Sequence, residues 1–281
     1  VHNQEEINNL INGIIKKEIN LSYSALSAFR KSPQEFINYK FRAFESTPAM
    51  EFGSLVHCMV LEPEKLEKRY VRVPNDAPKR PTSVQLNAKK PSEETLKAIE
   101  FWNQFNTENE NKTIIGKSDF YDALQVANNI RKYYPSSNIL SLCSEFEKKV
   151  EFEYNNFKFK GFIDGEGINV RTDLKIVQSA EPRKFQRDSF ANGHHIQAGI
   201  YQIANGRKPY YIISADRNNG LSVHKLSQDL IDHGIREVDK MLEDFNRAIL
   251  EDSWNKSYDF YSDRMDGAFE FELPKYLTNN F

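Results

Sequence analysis

Cysteine is close to absent from this chain. Cys58 and Cys143 are the only two in 281 residues, which excludes a disulfide scaffold and points to a reducing interior. Long apolar runs are missing as well. None reaches the roughly 18 residues that would suggest a membrane span, so no membrane association is expected. Residues 1–6 lack the basic and apolar regions of a signal peptide, and a cytoplasmic location is the expectation. The net charge of −2 favours neither sign, so any surface for a polyanion has to be local. No internal repeat and no low-complexity tract occurs. The 39% hydrophobic and 28% charged content is that of an ordinary globular chain, long enough for one large domain or two small ones.

What the chain does have is concentrated between Lys160 and Tyr201. Residues 157–163 alternate apolar and polar and predict a strand that delivers Asp164 near its end. After a Gly-Glu-Gly turn, residues 168–172 are β-branched enough to predict a second strand, with Asp173-Leu174-Lys175 at its end. Residues i and i+2 of a strand share a face. Asp173 and Lys175 therefore project together, and Leu174 points the other way, into a core. Two converging carboxylates without a counter-ion raise one another's pKa. A hard divalent cation such as Mg²⁺, or Mn²⁺ in its place, relieves that repulsion and activates water.

The rest of the chain frames this stretch. Residues 1–20 predict a helical or frayed lead-in, and 21–281 a single domain. Ser22 or Ser24 is expected to cap a helix carrying Leu26, Phe29 and Phe36, and Pro33 to begin another. Phe52, Leu55, Val56, Met59 and Val60 recur at helical spacing, with His57 at the edge of their stripe. Proline-rich residues 74–91 predict a long mobile loop. Helices are expected within 92–135, on the periphery covering the sheet. Residues 147–154 predict a half-buried strand, in which Glu151 is a surface residue. From Glu181 a helical section follows, with a stripe of Ile196, Ile200 and Ile203. A buried strand at 209–215, a partner at 221–226 across an Asn-Asn-Gly turn, and a helix over 230–250 complete the pattern. The tail after Trp254 is aromatic and polar without periodicity.

Taken in order, Gly53-x-x-x-His57, Asp164, Asp173-Leu174-Lys175 and Gln197-x-x-x-Tyr201 resemble the RecB-like branch of the PD-(D/E)xK nuclease superfamily. Leu21-Ser22-Tyr23-Ser24 and His195-Ile196-Gln197 bring the resemblance nearest to phage and prophage exonucleases of the RecE type, over roughly residues 21–245. The resemblance implies an α/β (α+β) fold, a central mixed sheet flanked by helices in a restriction-endonuclease-like core. It implies Asp164, Asp173 and His57 as metal ligands, with the Leu174 carbonyl as a fourth. Lys175 would orient the attacking water and assist its deprotonation, and Gln197 and Tyr201 would position the lysine or the DNA backbone. Ser24 and Arg30 would hold a terminal phosphate, and Arg183, Lys184 and Arg187 would bind backbone phosphates. Gly53 would let its helix approach the sheet closely.

The implied activity is Mg²⁺-dependent 5′-to-3′ exonucleolysis of double-stranded DNA ends, leaving 3′ single strands for a single-strand annealing protein in phage-type recombination. A ring-like homo-oligomer, trimer or tetramer, in a bacterial or phage-infected cytoplasm goes with it. Ile176 and Val177 stand where that branch carries small hydroxyl residues, which removes phosphate contacts there and leaves the metal site intact. Iron–sulfur relatives need four cysteines, so no cluster is expected within one chain. Two other readings share the core, a structure-specific or restriction-type endonuclease and a non-catalytic DNA-binding protein.

Overall fold

The protein was analysed as a computed structural model that describes residues 3–43, 45–262 and 267–269. Its centre is a five-stranded sheet whose strands lie side by side in chain order. β3 (Glu145–Tyr154), β4 (Phe157–Glu166) and β5 (Arg171–Val177) are successively antiparallel, β6 (Tyr210–Asp216) runs parallel to β5, and β7 (Leu221–Lys225) returns antiparallel. The fold class is thus a mixed sheet flanked by helices, as expected.

On one face lie α1 (Gln4–Ile15), α2 (Tyr23–Phe29), α3 (Pro33–Phe41), α10 (Pro182–Ala191), α11 (His194–Asn205) and α12 (Gln228–Glu251). They bury Phe29, Phe36, Ile196, Ile200 and Phe245 against Phe159, Ile163 and Ile212 of the sheet. On the other face, α4 (Pro48–Leu61), α8 (Lys117–Lys132) and α9 (Tyr134–Ser141) bury Leu55, Val56 and Ile130 against Leu174, Ile213 and Ala215. The alternation of Ile212 with Ile213 between the two cores is the period of two that a strand covered on both faces must show. The Ser22 side chain, not that of Ser24, accepts the Ala25 N–H and caps α2. Pro33 is the first residue of α3, as expected.

Between α4 and α8 run a 3₁₀ turn (Pro63–Lys65), α5 (Leu66–Arg69), β1 (Tyr70–Arg72), α6 (Ser83–Leu86), α7 (Glu93–Glu108) and β2 (Thr113–Ile115). β1 and β2 form a separate parallel pair, too short to show in the pattern. Segment 74–91 is not featureless. Thr82 and Gln85 close a capping box around α6. Arg80 sits 4.3 Å from the ring centre of Trp102, whose indole N–H donates to the Pro78 carbonyl. α7 therefore covers this segment, and its buried Trp102 and Phe105 belong to neither sheet core.

Two boundaries differ from expectation. Ile168 and Asn169 lie in the turn, Ile168 at 85% exposure, and β5 begins at Arg171, which puts the Asp-Leu-Lys triplet in mid-strand. The helical section after Glu181 breaks at Gly193, whose φ of 74° ends α10 and starts α11. The tail beyond 262, apart from 267–269, lies outside the described residues. Among the described residues no helix is long and apolar enough to cross a membrane.

Candidate active site

The site forms where two strands part. β4 and β5 pair at only two positions, Gly165 with Thr172 and Glu166 with Arg171. Beyond them β4 stays with β3 and β5 with β6. Asp164 and Asp173 are the first residues past the fork on their respective strands. Asp164 Oδ2 accepts the Leu174 N–H at 2.7 Å, replacing the acceptor that a continued ladder would offer. Leu174 turns into the α4 core, and Asp173 and Lys175 turn towards α11.

α11 brings Gln197 over the fork. Its Nε2 donates to Asp173 Oδ1 at 3.2 Å and its Oε1 accepts from Lys175 Nζ at 3.1 Å. One turn on, the Tyr201 hydroxyl donates to the Phe162 carbonyl at 2.5 Å and stands 3.4 Å from Gln197 Nε2. From the opposite face α4 presents His57. Its Nε2–H donates to the Leu174 carbonyl at 2.7 Å, which leaves Nδ1 3.8 Å from Glu147 Oε1 and 3.9 Å from Asp164 Oδ2. The carbonyl expected as a fourth metal ligand is thus engaged by the imidazole, with one lone pair remaining. Gly53 is not needed for close approach, because an added Cβ would lie 3.9 Å from Ile176, an ordinary contact.

Electrostatics at the fork are unbalanced. Burial, helped by the neighbouring Asp173 carboxylate, pushes the Asp164 carboxyl up to about 7. For His57, burial is the largest single influence and would lower its basicity, but Asp164 and Glu147 together outweigh it and hold the imidazole above its ordinary value. For Lys175 burial is again the largest influence, opposed and overcome by Asp173 and Asp164, so the ammonium form is strongly favoured. As an ammonium, Lys175 offers orientation and positive charge to a group bound at the fork. Burial also lifts Tyr201 to about 12, which keeps it a donor.

Whether a divalent ion suits this set is answered by Asp173. Its buried Oδ2 has the Lys175 ammonium, 2.7 Å away, as its partner. That one ammonium serves two buried carboxylates, Asp164 and Asp173, and the negative charge left over is what a divalent ion would offset. His57, Glu147 and Asp164 each place one donor atom within 4.8 Å of the others. Two carboxylates and one imidazole in reach of one another, with the Asp173 carboxylate across the fork, form an oxygen-rich surrounding suited to Mg²⁺ or Mn²⁺.

Glu147 was not legible in the sequence. It faces Asp164 between the paired positions Phe146–Gly165 and Lys148–Ile163, at a φ of 49° that interrupts the alternation of β3. Glu151 is a surface residue paired with Lys149, as expected. Arg171 was also missed. Fully buried, it pairs with Glu166 and donates to the carbonyls of Tyr201, Asn205 and Gly206 at the C-terminus of α11. The available signal was the pair Glu166 and Arg171 astride a glycine turn.

A cleft of about 930 Å³ extends from the fork along α4 to Lys65 and Arg69, both paired with Glu62. A second cavity of about 380 Å³ adjoins it, sharing Phe162 and Gln197 and lined by Ser24, Tyr23 and Lys160. Ser24 is therefore brought to the site and Arg30 is not. The Arg30 guanidinium donates to the Ala191 carbonyl and lies 3.8 Å from Glu237. Arg183, Lys184 and Arg187 line neither cavity. Arg183 is exposed on α10, while Lys184 and Arg187 both pair with Asp188.

No curated protein matches the chain in sequence. A solved structure from Eubacterium rectale, of a protein whose name carries a provisional exonuclease assignment, is 14% identical. It aligns over 99% of this chain and 97% of its own at a TM-score of 0.54, a likeness of fold. Another solved structure, SSO0001, is 13% identical over 68% of this chain and 84% of its own, and its TM-score of 0.27 carries no argument. Residues 22–259, which include the fork, the larger cleft and every expected site residue, match the PDDEXK-like domain of unknown function (DUF3799), and the chain belongs to that family.

Proposed function

We propose that this chain is a divalent-metal-dependent deoxyribonuclease that degrades linear double-stranded DNA from its ends, 5′ to 3′. The observation that carries the reading is the fork, where the buried Asp164 and Asp173 carboxylates converge and Lys175 supplies one ammonium to both. Asp164, Asp173 and Glu147 would hold the ion, with His57 through Nδ1. When bound, a divalent ion supplies Lewis acidity towards a phosphoryl oxygen and towards water. Lys175, held as an ammonium between Asp173 and Gln197, orients the nucleophile and offers positive charge to the phosphoryl group. Gln197 fixes both partners of that ion pair, and Tyr201 fixes Gln197 while tying α11 to β4.

Action at ends is supported by Leu21-Ser22-Tyr23-Ser24 and His195-Ile196-Gln197, the stretches that resemble RecE-type exonucleases, and by the exonuclease assignment in the name of the Eubacterium rectale protein of like fold. Ser24 and Lys160, in the cavity beside the cleft, suit a terminal phosphate better than Ser24 with Arg30 does. The reading extends to a ring-like trimer or tetramer threaded by duplex and to an annealing partner for the 3′ strand. Linear, nicked and covalently closed forms of one plasmid, digested side by side with Mg²⁺, provide the test. Progressive loss of the linear form while closed circles survive is expected. Cutting of closed circles at similar rates would establish the endonuclease reading, and binding without cutting the non-catalytic one.

A further inference from the structure

Behind the candidate active site, α11 and α12 bring together three side chains that the nuclease reading does not use. We propose that His195, His233 and Glu237 form a second metal site, for a borderline transition-metal ion of the Zn²⁺ class, that pins α11 to α12.

The donors are already assembled. His195 Nε2 lies 3.3 Å and His233 Nε2 2.9 Å from Glu237 Oε1, and the three donor atoms fall within 4.8 Å of one another. His233 and Glu237 are one turn apart on α12, so their side chains share a face. His195 is held against that face by backbone. A Cβ on Gly234 would come within 2.2 Å of the His195 carbonyl, an approach that only glycine permits. The rings are oriented too. Phe190 stacks on His195 at 4.6 Å and lies nearly parallel to His233 at 6.3 Å. The two imidazoles have centres 5.6 Å apart and planes within 10° of each other. With Zn–N distances of about 2.0–2.1 Å, two imidazoles sharing one ion have centres roughly 5–6 Å apart.

The surroundings suit a neutral imidazole and a single carboxylate. Burial lowers the basicity of His195, which keeps a lone pair free. Arg30 Nη1, 3.8 Å from Glu237 Oε2, occupies the other carboxylate oxygen. His195 is only 2% exposed, so its ring is fixed in the packed interior with Nε2 towards Glu237 and one face covered by Phe190. His233 and Glu237 are partly exposed, so solvent supplies the remaining coordination.

The test uses the full chain stripped with a chelator and titrated with Zn²⁺ against a chromophoric competitor, and with Co²⁺ as an optical probe. Asp164→Asn/Asp173→Asn, made to silence the cleft, is expected to retain one Zn²⁺ per chain and the visible Co²⁺ bands. In His233→Ala, at a partly exposed position, that binding is expected to weaken by more than about 100-fold, since loss of a group that merely orients a ligand already costs about 10–100-fold. Glu237→Gln is expected to weaken it in the same direction. Zn²⁺ binding unchanged in His233→Ala, abolished in the Asp164/Asp173 variant, or absent from the wild type would overturn the proposal. None of these readouts depends on DNA cleavage.

Discussion

Lys175 is the residue at which the site's charges meet. Its ammonium lies beside Asp173, within the field of Asp164, and donates to Gln197. It contributes no ligand atom, so its removal separates chemistry from metal binding. Lys175→Ala is expected to reduce cleavage by a factor on the order of 10² or more, the loss typical of a positioned proton-handling or charged group. Mn²⁺ binding, followed by calorimetry, should persist. Asp173→Asn should do the opposite to binding, because it removes one of the two buried carboxylate charges at the fork, while the neighbouring Oδ1 keeps its bond from Gln197. Loss of Mn²⁺ binding in Lys175→Ala would show that the lysine holds the carboxylates in place instead.

α11 carries Gln197 and Tyr201, and its position has three separate causes. Gly193 starts it with a left-handed residue, Arg171 satisfies the carbonyls at its far end, and Gly199 and Gly234 let α12 pack backbone to backbone. A Cβ on Gly199 would lie 2.9 Å from the Ile235 N, and one on Gly234 collides with the His195 carbonyl. Neither obstacle is a flexible side chain. Gly234→Ala is therefore expected to destabilise the protein by about 1–3 kcal/mol, the usual range for overpacking. Gly53→Ala, whose new methyl meets only ordinary contact, should leave stability within about 0.5 kcal/mol. Denaturant melts of the two variants check the contrast, and equal losses would contradict it.

At the scale of the whole molecule, two apolar cores on opposite faces of one sheet are joined at its centre by a charged cluster. Glu166 accepts from Arg171, Lys208 and Asn205, and Arg171 is wholly buried. For Glu166, burial is the largest single influence and would raise its pKa, but the bonds from Arg171 and Lys208 outweigh it and hold the carboxyl below its ordinary value of 4.5. A depressed carboxylate contributes stability that is present above the unfolded-state value and lost as pH falls through the folded one. Glu166→Gln strands a buried guanidinium and is expected to cost about 3–5 kcal/mol near neutral pH. Its deficit against wild type should narrow as pH falls below about 4.5. A deficit that stayed constant down to pH 3 would show that the carboxylate charge is not what matters.

Much of this was legible in the sequence because it depends on local periodicity. The alternation of 157–163 gave β4, the period-two rule put Asp173 and Lys175 on one face with Leu174 on the other, and Ser22 and Pro33 marked helix starts. The order of His57, Asp164, Asp173, Lys175, Gln197 and Tyr201 carried the family, because their spacing follows the order of elements around the sheet. What periodicity does not encode is where two strands stop pairing, which side a distorted residue faces, or which arginine is already occupied. Those are settled by contacts between residues far apart in the chain. Glu147 joins the site through a positive φ in β3, and Arg30 is drawn away by the turn between α10 and α11. Arg171 becomes the anchor of α11 only because β5, the glycine turn and Gly206 meet there. Only the packed molecule makes the fork between β4 and β5, because it lies where β4 continues with β3 and β5 with β6, pairings between residues distant in the chain.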